Sequence, residues 1–309
     1  MKLISVLTPC YNEEKNIELI YSEVKKIFDN VPNIKYEHIF IDNASTDNTV
    51  DILKDITKID KNIKIIVNKK NFGWVRSPYH GILQCHGDAV IFIVADLQDP
   101  PILINKFIEK WLEGYKIVIG IKESSDENKV MFFLRSLFYS LLKKIANNEQ
   151  IKNFTGYGLY DKEFIEILRN IKEPYPFLRG LIGELGFDRY DVIYKQPIRK
   201  YGKSSANFFH IYDIAILGFI SSSKLPLRIS SILGFTISII CLFISLLYLV
   251  FKLIFWSTFS LGLAPIIIGL FFFAGVQLFF LGIIGEYIGS IYTEVKNRPL
   301  VIEKERINF

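Results

Sequence analysis

Between Arg228 and Lys252 lie 23 consecutive residues without a formal charge, and from Leu253 to Gly285 another 33 follow without one. As helix the first stretch extends roughly 35 Å, enough for the ~30 Å hydrocarbon core of a bilayer. The second would measure about 50 Å, too long for one simple crossing, so part of it must turn. The segment Trp256-Ser257-Thr258-Phe259-Ser260 is the expected turn, with Trp256 at headgroup depth. The pattern predicts a two-helix transmembrane hairpin over 229–291, with spans at about 229–252 and 261–291.

Charge orients this hairpin. Lys224 and Arg228 precede it and Lys296, Arg298, Lys304 and Arg306 follow it, while only Lys252 lies near the turn. The excess of basic residues at the outer ends places both termini and the preceding domain on the cytoplasmic side of the inner membrane. Leu3 to Leu7 is too short for a signal peptide and runs into Thr8 and Pro9. Cys10, Cys85 and Cys241 show no metal-ligand spacing and suit a reducing compartment. A net charge of +5 without a long Lys/Arg run argues against nucleic acid as a partner and fits attraction to an anionic membrane surface.

Residues 1–205 read differently. Apolar, β-rich runs at Leu3–Thr8, Tyr36–Ile41, Ile63–Val67, Ala89–Val94 and Lys116–Ile121 alternate with helical patterns at Glu13–Phe28, Asp47–Ile56, Pro78–Cys85 and Leu103–Leu112. Such alternation predicts an α/β domain with a mostly parallel sheet and helices on both faces. The Phe- and Leu-rich stretch Lys129–Ile145 is either a core or a membrane-surface helix. Phe208, Phe209, Tyr212, Ile216 and Phe219 recur at helical spacing, so 206–228 is expected to be a juxtamembrane helix lying in the interface. Residues 292–309 form a cytoplasmic tail.

In an open parallel sheet ligands bind beyond the carboxyl ends of the strands, so polar residues directly after apolar runs are the ones to inspect. Four such sites recur: Pro9-Cys10-Tyr11-Asn12-Glu13-Glu14, Asp42-Asn43-Ala44-Ser45-Thr46-Asp47, Asn71-Phe72-Gly73 and Asp96-Leu97-Gln98-Asp99. They supply what a nucleoside diphosphate requires: a ring to stack the base (Tyr11), a carboxylate to accept a base N–H (Asp42), and oxygen ligands for Mg²⁺ or Mn²⁺ (Asp96 and Gln98). The plainer alternative is that Asp42, Ser45 and Asp47 cap the helix starting near Thr49, and that Asp99 caps the one after Pro100.

With these motifs the chain resembles glycosyltransferase family 2, inverting enzymes of the Rossmann-like GT-A fold, and in particular its polyisoprenyl-phosphate glycosyltransferases of the bactoprenol glucosyl and dolichol-phosphate mannosyl type. The family's P-x-Y-N-E opening stands here as Pro9-Cys10-Tyr11-Asn12-Glu13, its D-D-G-S-x-D as Asp42-Asn43-Ala44-Ser45-Thr46-Asp47, and its D-A-D-L-Q-D-P-P as Val94 through Pro101. Arg199-Lys200-Tyr201-Gly202-Lys203-Ser204 is similar to the R-x-x-G-x-S loop, and Gly285-Glu286-Tyr287-Ile288-Gly289 to the tail of the bactoprenol enzymes.

The resemblance implies a nucleotide-sugar site containing Pro9, Tyr11, Asn12, Glu13, Asp42, Asn71, Arg76 and Asp96. It implies catalytic carboxylates at Asp96 and Asp99, a divalent cation on Asp96 and Gln98, and acceptor or diphosphate contacts by Arg135, Arg199 and Lys203. The departures are Val94 for the first Asp of the D-x-D element, Asn43 for the second Asp of D-D-G-S, Trp74 where a basic residue often follows N-x-G, and Gly156 where the bactoprenol enzymes carry Asp. A sugar hydroxyl acceptor would need a general base, whereas a lipid monophosphate, with a second pKa of about 6, is already largely dianionic at pH 7. Gly156 is therefore easier to reconcile with a phosphate acceptor.

The expected reaction moves a hexose from a nucleotide sugar, UDP-linked by resemblance, onto a polyprenyl phosphate at the cytoplasmic face for cell-envelope glycan modification. A same-fold enzyme acting on diacylglycerol or a lipid-linked saccharide is one alternative. A non-catalytic scaffold, in which Val94 and Gly156 mark decay and the hairpin recruits a flippase or a downstream transferase, is another; by resemblance the protein forms a homo-oligomer. Dinucleotide and P-loop fingerprints are absent, as is the Q-x-x-R-W element of processive synthases, and His38, His80, His86 and His210 lack metal-ligand spacing.

Overall fold

The structure, a computed structural model, describes residues 1–123, 151, 153–171, 173, 176, 178–197, 225–255, 263–296 and 298–309. The expected helices at 129–145 and 206–223, the turn at 256–260, and Arg135, Arg199 and Lys203 lie outside the described residues.

The apolar runs become strands β1 (Lys2–Cys10), β2 (Ile34–Asp42), β3 (Ile63–Asn68), β4 (Ala89–Phe92) and β5 (Ile117–Lys122). Between them run α1 (Ile17–Asp29), α2 (Thr49–Ile59), α3 (Gly73–Gln84) and α4 (Leu103–Leu112). Further along come β6 (Phe154–Asp161), α5 (Lys162–Asn170), α6 (Leu178–Glu184), β7 (Arg189–Tyr194), α7 (Leu225–Ile254), α8 (Leu263–Val295) and β8 (Glu303–Ile307). All eight strands form one sheet in the order β7-β5-β6-β4-β1-β2-β3-β8.

The central β4-β1-β2-β3 portion is parallel, with Leu7 opposite both Ile39 and Phe92. β6 runs antiparallel between β4 and β5, β7 joins β5 in parallel, and β8 joins β3 antiparallel. The sheet is thus mixed, where the sequence led us to expect a mostly parallel one. The difference lies in three strands that apolar runs do not mark. β6 is interrupted by Gly156 and Gly158. At Gly158 a Cβ would come within 2.6 Å of the Val118 carbonyl, so only glycine lets β5 and β6 approach. β8, with the sequence EKERI, carries the charge usual for an edge strand and covers the edge of β3.

Alternation along β1 sends Ile4 and Val6 to one face and Leu7 to the other, and two buried clusters result. One packs α1, α2 and α4 through Ile20, Val24, Leu53 and Phe107. The other packs α3, α5 and α6 through Ile82, Phe164 and Leu181. Pro78, expected at the start of α3, instead sits within it. The helix begins one turn earlier because Asn71 Oδ1 accepts the Gly73 N–H at 2.8 Å, fixing a first turn at Gly73, which has a positive φ of 82°.

The chain divides into two compact units: the sheet with its helices and residues 298–309, and the pair α7 and α8. Within α8 the 24 residues Phe272–Val295 have a mean hydropathy of 1.6 and are long and apolar enough to cross a membrane. This is the one such segment among the described residues; the apolar stretch Ile229–Cys241 of α7 is shorter.

Candidate active site

Chain order reverses at β1, with β2 and β3 on one side of it and β4 on the other. The carboxyl ends of β1 and β4 therefore flank the crevice where an open α/β sheet binds ligands. A cleft of about 580 Å³ opens there. Pro9, Cys10, Tyr11 and Glu13 line it from the end of β1 and the loop that follows. Gly73, Trp74, Ser77 and Pro78 line it from α3, Val94, Asp96 and Gln98 from the loop after β4, Thr155 from β6, and Arg179 from α6.

The loops are held in shape by each other. Asn12 (φ 56°), Ala44 (φ 64°) and Leu97 (φ 59°) adopt the left-handed conformation that non-glycine residues rarely take, one in each loop following β1, β2 and β4. The first two loops are joined by backbone-to-side-chain bonds. Asn12 N donates to Ser45 Oγ at 2.9 Å, Thr46 N to Asn12 Oδ1 at 2.8 Å, and Glu13 N to Thr49 Oγ1 at 2.9 Å. Asp47 accepts from Glu14 N through one oxygen and from Thr49 N through the other. The N-terminal donors of α2 and the β1 loop are satisfied together.

The loop after β4 separates its two carboxylates. Asp96 Oδ1 accepts the Gln98 N–H at 3.1 Å in a tight turn through Leu97, and its side chain lines the cleft. Asp99 goes the other way: it is 2% exposed and accepts the Tyr194 hydroxyl of β7 at 2.5 Å. Burial pushes its carboxyl up to about 6, opposed in part by the Tyr194 bond. Tyr157 of β6 adds a second tether, donating to the Pro100 carbonyl at 2.6 Å. Asp99 anchors the loop that presents Asp96 and does not face the cleft, so the expected catalytic role does not suit its position.

Of the other expected site residues, Pro9, Tyr11, Glu13 and Gln98 line the cleft with Asp96, whereas Asp42 lies fully buried beneath it. Asp42 accepts the Ser45 N–H at 3.0 Å and the Ser45 hydroxyl, and burial raises its carboxyl above the usual range against those bonds. It shapes the loop through Ser45 and does not cap α2, whose Thr49 N–H goes to Asp47 instead. Asn12 and Asn71 act as braces for neighbouring backbone and are not among the cleft-lining residues. Arg76, expected at the nucleotide, turns to the C-terminal segment and donates to the Pro299 carbonyl at 2.6 Å. His80, one turn on, meets Glu303 of β8 at 2.6 Å. Helix α3 is therefore strapped along its outer side by the segment that follows α8.

Lining residues such as Trp74, Ser77, Thr155 and Arg179 were not among the site residues expected from the sequence. An exposed aromatic beside the Asn71-Phe72-Gly73 turn was the only sign available for Trp74. Nothing in the local sequence distinguishes Thr155 or Arg179.

Asp96 and Gln98 offer one carboxylate and one amide oxygen to the cleft, and among the described residues no group of three or more His, Cys, Asp and Glu could hold a metal ion. That set is too small to hold an ion alone. It fits a hard divalent cation of the Mg²⁺ kind, which keeps waters and takes one or two carboxylates together with substrate phosphate oxygens.

The family model described as Glycosyl transferase family 2 matches residues 5–167, from β1 into α5. The chain belongs to this glycosyltransferase family. Among relatives, this glycosyltransferase is 35% identical to the putative glycosyltransferase CsbB of Bacillus subtilis, over 98% of the chain and 92% of the relative. It is 31% identical to the SfII prophage-derived bactoprenol glucosyl transferase of Shigella flexneri, over 98% and 97%. Among solved structures, mannosyl-3-phosphoglycerate synthase from Rubrobacter xylanophilus aligns with a TM-score of 0.49 at 16% identity, covering 74% of each chain. The glycosyltransferase thus carries the family's domain within a chain whose similarity to these relatives continues through α7 and α8.

Proposed function

We propose that this glycosyltransferase moves a hexose from a nucleotide sugar, UDP-linked in our reading, onto a polyprenyl phosphate at the cytoplasmic membrane face, with inversion. The observation that carries the reading is the meeting of Tyr11 and Asp96, from separate strands, in one cleft at the β1/β4 crevice. Tyr11 offers a ring to the base, and Asp96 with Gln98 would hold Mg²⁺ or Mn²⁺ against the diphosphate. When bound, that cation supplies Lewis-acid neutralisation of the leaving group.

The acceptor phosphate, already dianionic, attacks the anomeric carbon from the face opposite the diphosphate. A new C–O bond forms as the sugar–diphosphate bond breaks, and no general base is required. Arg135, Arg199 and Lys203, assigned to the acceptor or diphosphate by resemblance, complete this reading. The near full-length similarity to the bactoprenol glucosyl transferase of Shigella flexneri supports the choice of acceptor.

Topology supports a hairpin. The chain leaves the sheet domain before α7 and returns after α8, where β8 pairs with β3. A chain that starts and finishes in one domain crosses a membrane an even number of times. In this reading α7 and α8 are the two spans, and both ends lie on the cytoplasmic side.

The test is to incubate the purified enzyme with polyprenyl phosphate and a panel of radiolabelled nucleotide sugars, then extract the lipids. A labelled lipid that releases its sugar in mild acid is expected, because a phosphodiester-linked sugar is acid-labile. Acid-stable label would move the acceptor to a diacylglycerol or saccharide hydroxyl. No transfer or nucleotide-sugar hydrolysis with any donor would leave a scaffold.

A further inference from the structure

Arg179 lines the cleft and also a second, smaller recess behind it of about 120 Å³. Val75, Pro78, Tyr79, Ile82, Phe92 and Leu178 make this recess apolar. Trp74, Pro78, Phe92, Thr155 and Arg179 border both spaces, so the recess is a side chamber of the cleft. Its size is of the order of the ~150 Å³ apolar cavity that stays dry and admits a benzene ring. Gly156 borders it as well, with a φ of 106° at which a side chain would be strained.

Arg179 is half-buried, and among the described residues no hydrogen bond or ion pair engages its guanidinium, which lies near enough to the buried Asp99 to favour its charged form without pairing with it. A guanidinium removed in part from water calls for an anion, and its planar fork matches phosphate oxygens. Two anions reach this site in the proposed reaction, the donor diphosphate and the acceptor phosphate. The base of a nucleotide sugar is assigned to Tyr11 at the end of β1, and the rest of that molecule, ribose, diphosphate and hexose, is polar. A lipid monophosphate carries its charge directly beside hydrocarbon, the same order as Arg179 and the recess.

We infer that Arg179 and the recess behind it form a headgroup subsite for the acceptor, with the guanidinium on the phosphate monoester and the first carbons of the lipid chain in the recess. This rests on the reading of the acceptor as a lipid phosphate. It makes Arg179 a binding residue and Val75 and Ile82 determinants of which lipid phosphates fit.

The test uses the full-length enzyme in detergent with a polyprenyl phosphate acceptor, and two soluble competitors: inorganic phosphate and citronellyl phosphate, a short isoprenyl monophosphate. Arg179→Gln should raise the acceptor KM by about 10- to 100-fold, the range for loss of a charged hydrogen bond, with the donor KM changed less than about twofold. Arg179→Lys should recover part of that loss. In the wild type citronellyl phosphate should compete at lower concentration than inorganic phosphate. Val75→Phe, which narrows the recess, should remove that advantage without changing the potency of inorganic phosphate. UDP binding by calorimetry reports that each variant is folded.

If Arg179→Gln raises the donor KM instead, or neither KM, the subsite is overturned while transfer to polyprenyl phosphate stands. Persistence of the citronellyl advantage in Val75→Phe overturns the recess as its apolar half. Failure of the wild type to glycosylate polyprenyl phosphate removes the functional reading, and the subsite with it.

Discussion

Asn43 Nδ2 donates to Asn71 Oδ1 at 2.9 Å, tying the carboxyl end of β2 to the turn that starts α3. The same amide nitrogen donates to the Gly73 carbonyl, while Asn43 Oδ1 accepts from Phe72 N and Asn68 Nδ2. All of its hydrogen-bonding capacity is in use, and half of it is donation that a carboxylate lacks. The departure from the family's second Asp is thus built into the wall of the cleft.

Asn43→Asp should therefore destabilise the fold. The variant loses two donated bonds and sets a buried negative charge against Asn71 Oδ1, a cost of about 2–4 kcal/mol at neutral pH. Thermal denaturation measures this, and the donor KM should rise as Gly73 and Trp74 shift. Wild-type stability and KM together would show that the amide is incidental.

Asp96→Ala should reduce transfer by at least about 100-fold. Folding should survive, since this side chain lines the cleft and its Gln98 N–H bond closes a turn within the same loop. A chelator should suppress the wild type and added Mg²⁺ or Mn²⁺ should restore it. Full activity in chelator would exclude a cation on Asp96 and Gln98.

Asp99 gives a dependence on pH. Burial holds its carboxyl at about 6 in the folded protein, against 3.8 for an ordinary aspartate. The native state binds this proton more tightly than the unfolded chain, so the associated stability is fully present below about pH 4 and is lost as pH rises through about 6. Asp99→Asn keeps an acceptor for the Tyr194 hydroxyl and removes the buried charge. Its stability relative to wild type should improve from pH 4 to pH 8 by up to about 3 kcal/mol. A difference constant across that range, followed by thermal melts, would show that Asp99 does not titrate there.

The hairpin can be tested at its turn. A cysteine introduced by Ser257→Cys should react with a membrane-impermeant maleimide added from outside the cell. Cys10 and Cys85 are buried and will stay silent, and the half-buried Cys241 is replaced by Ser in the background used. Labelling only after the membrane is opened would place the turn inside and contradict two spans.

How much of this could be read from the sequence depended on what each segment is buried against. β1 to β5 announce themselves because helices cover both faces of the sheet, so that Val6, Phe40, Ile65 and Ile91 leave little room for polar neighbours. Tyr11 and Asp96 were legible because they directly follow such runs. Asp42 and Asp99 follow the same pattern, but sequence spacing cannot say whether a carboxylate after a strand turns outward, as Asp96 does, or inward, as Asp99 does toward Tyr194. That choice is made by β7, 95 residues further along. Arg179 and Thr155 were out of reach for the same reason, since the insertion of β6 between β4 and β5 brings them to the cleft.

β8 is synthesised only after α8, yet it pairs with β3 and places Glu303 against His80 and Glu305 against Lys54. On a growing chain the flank of β3 stays bare until the hydrophobic helices have left the ribosome. The sheet is thus the last part of the molecule to be completed, after both long apolar helices have been made.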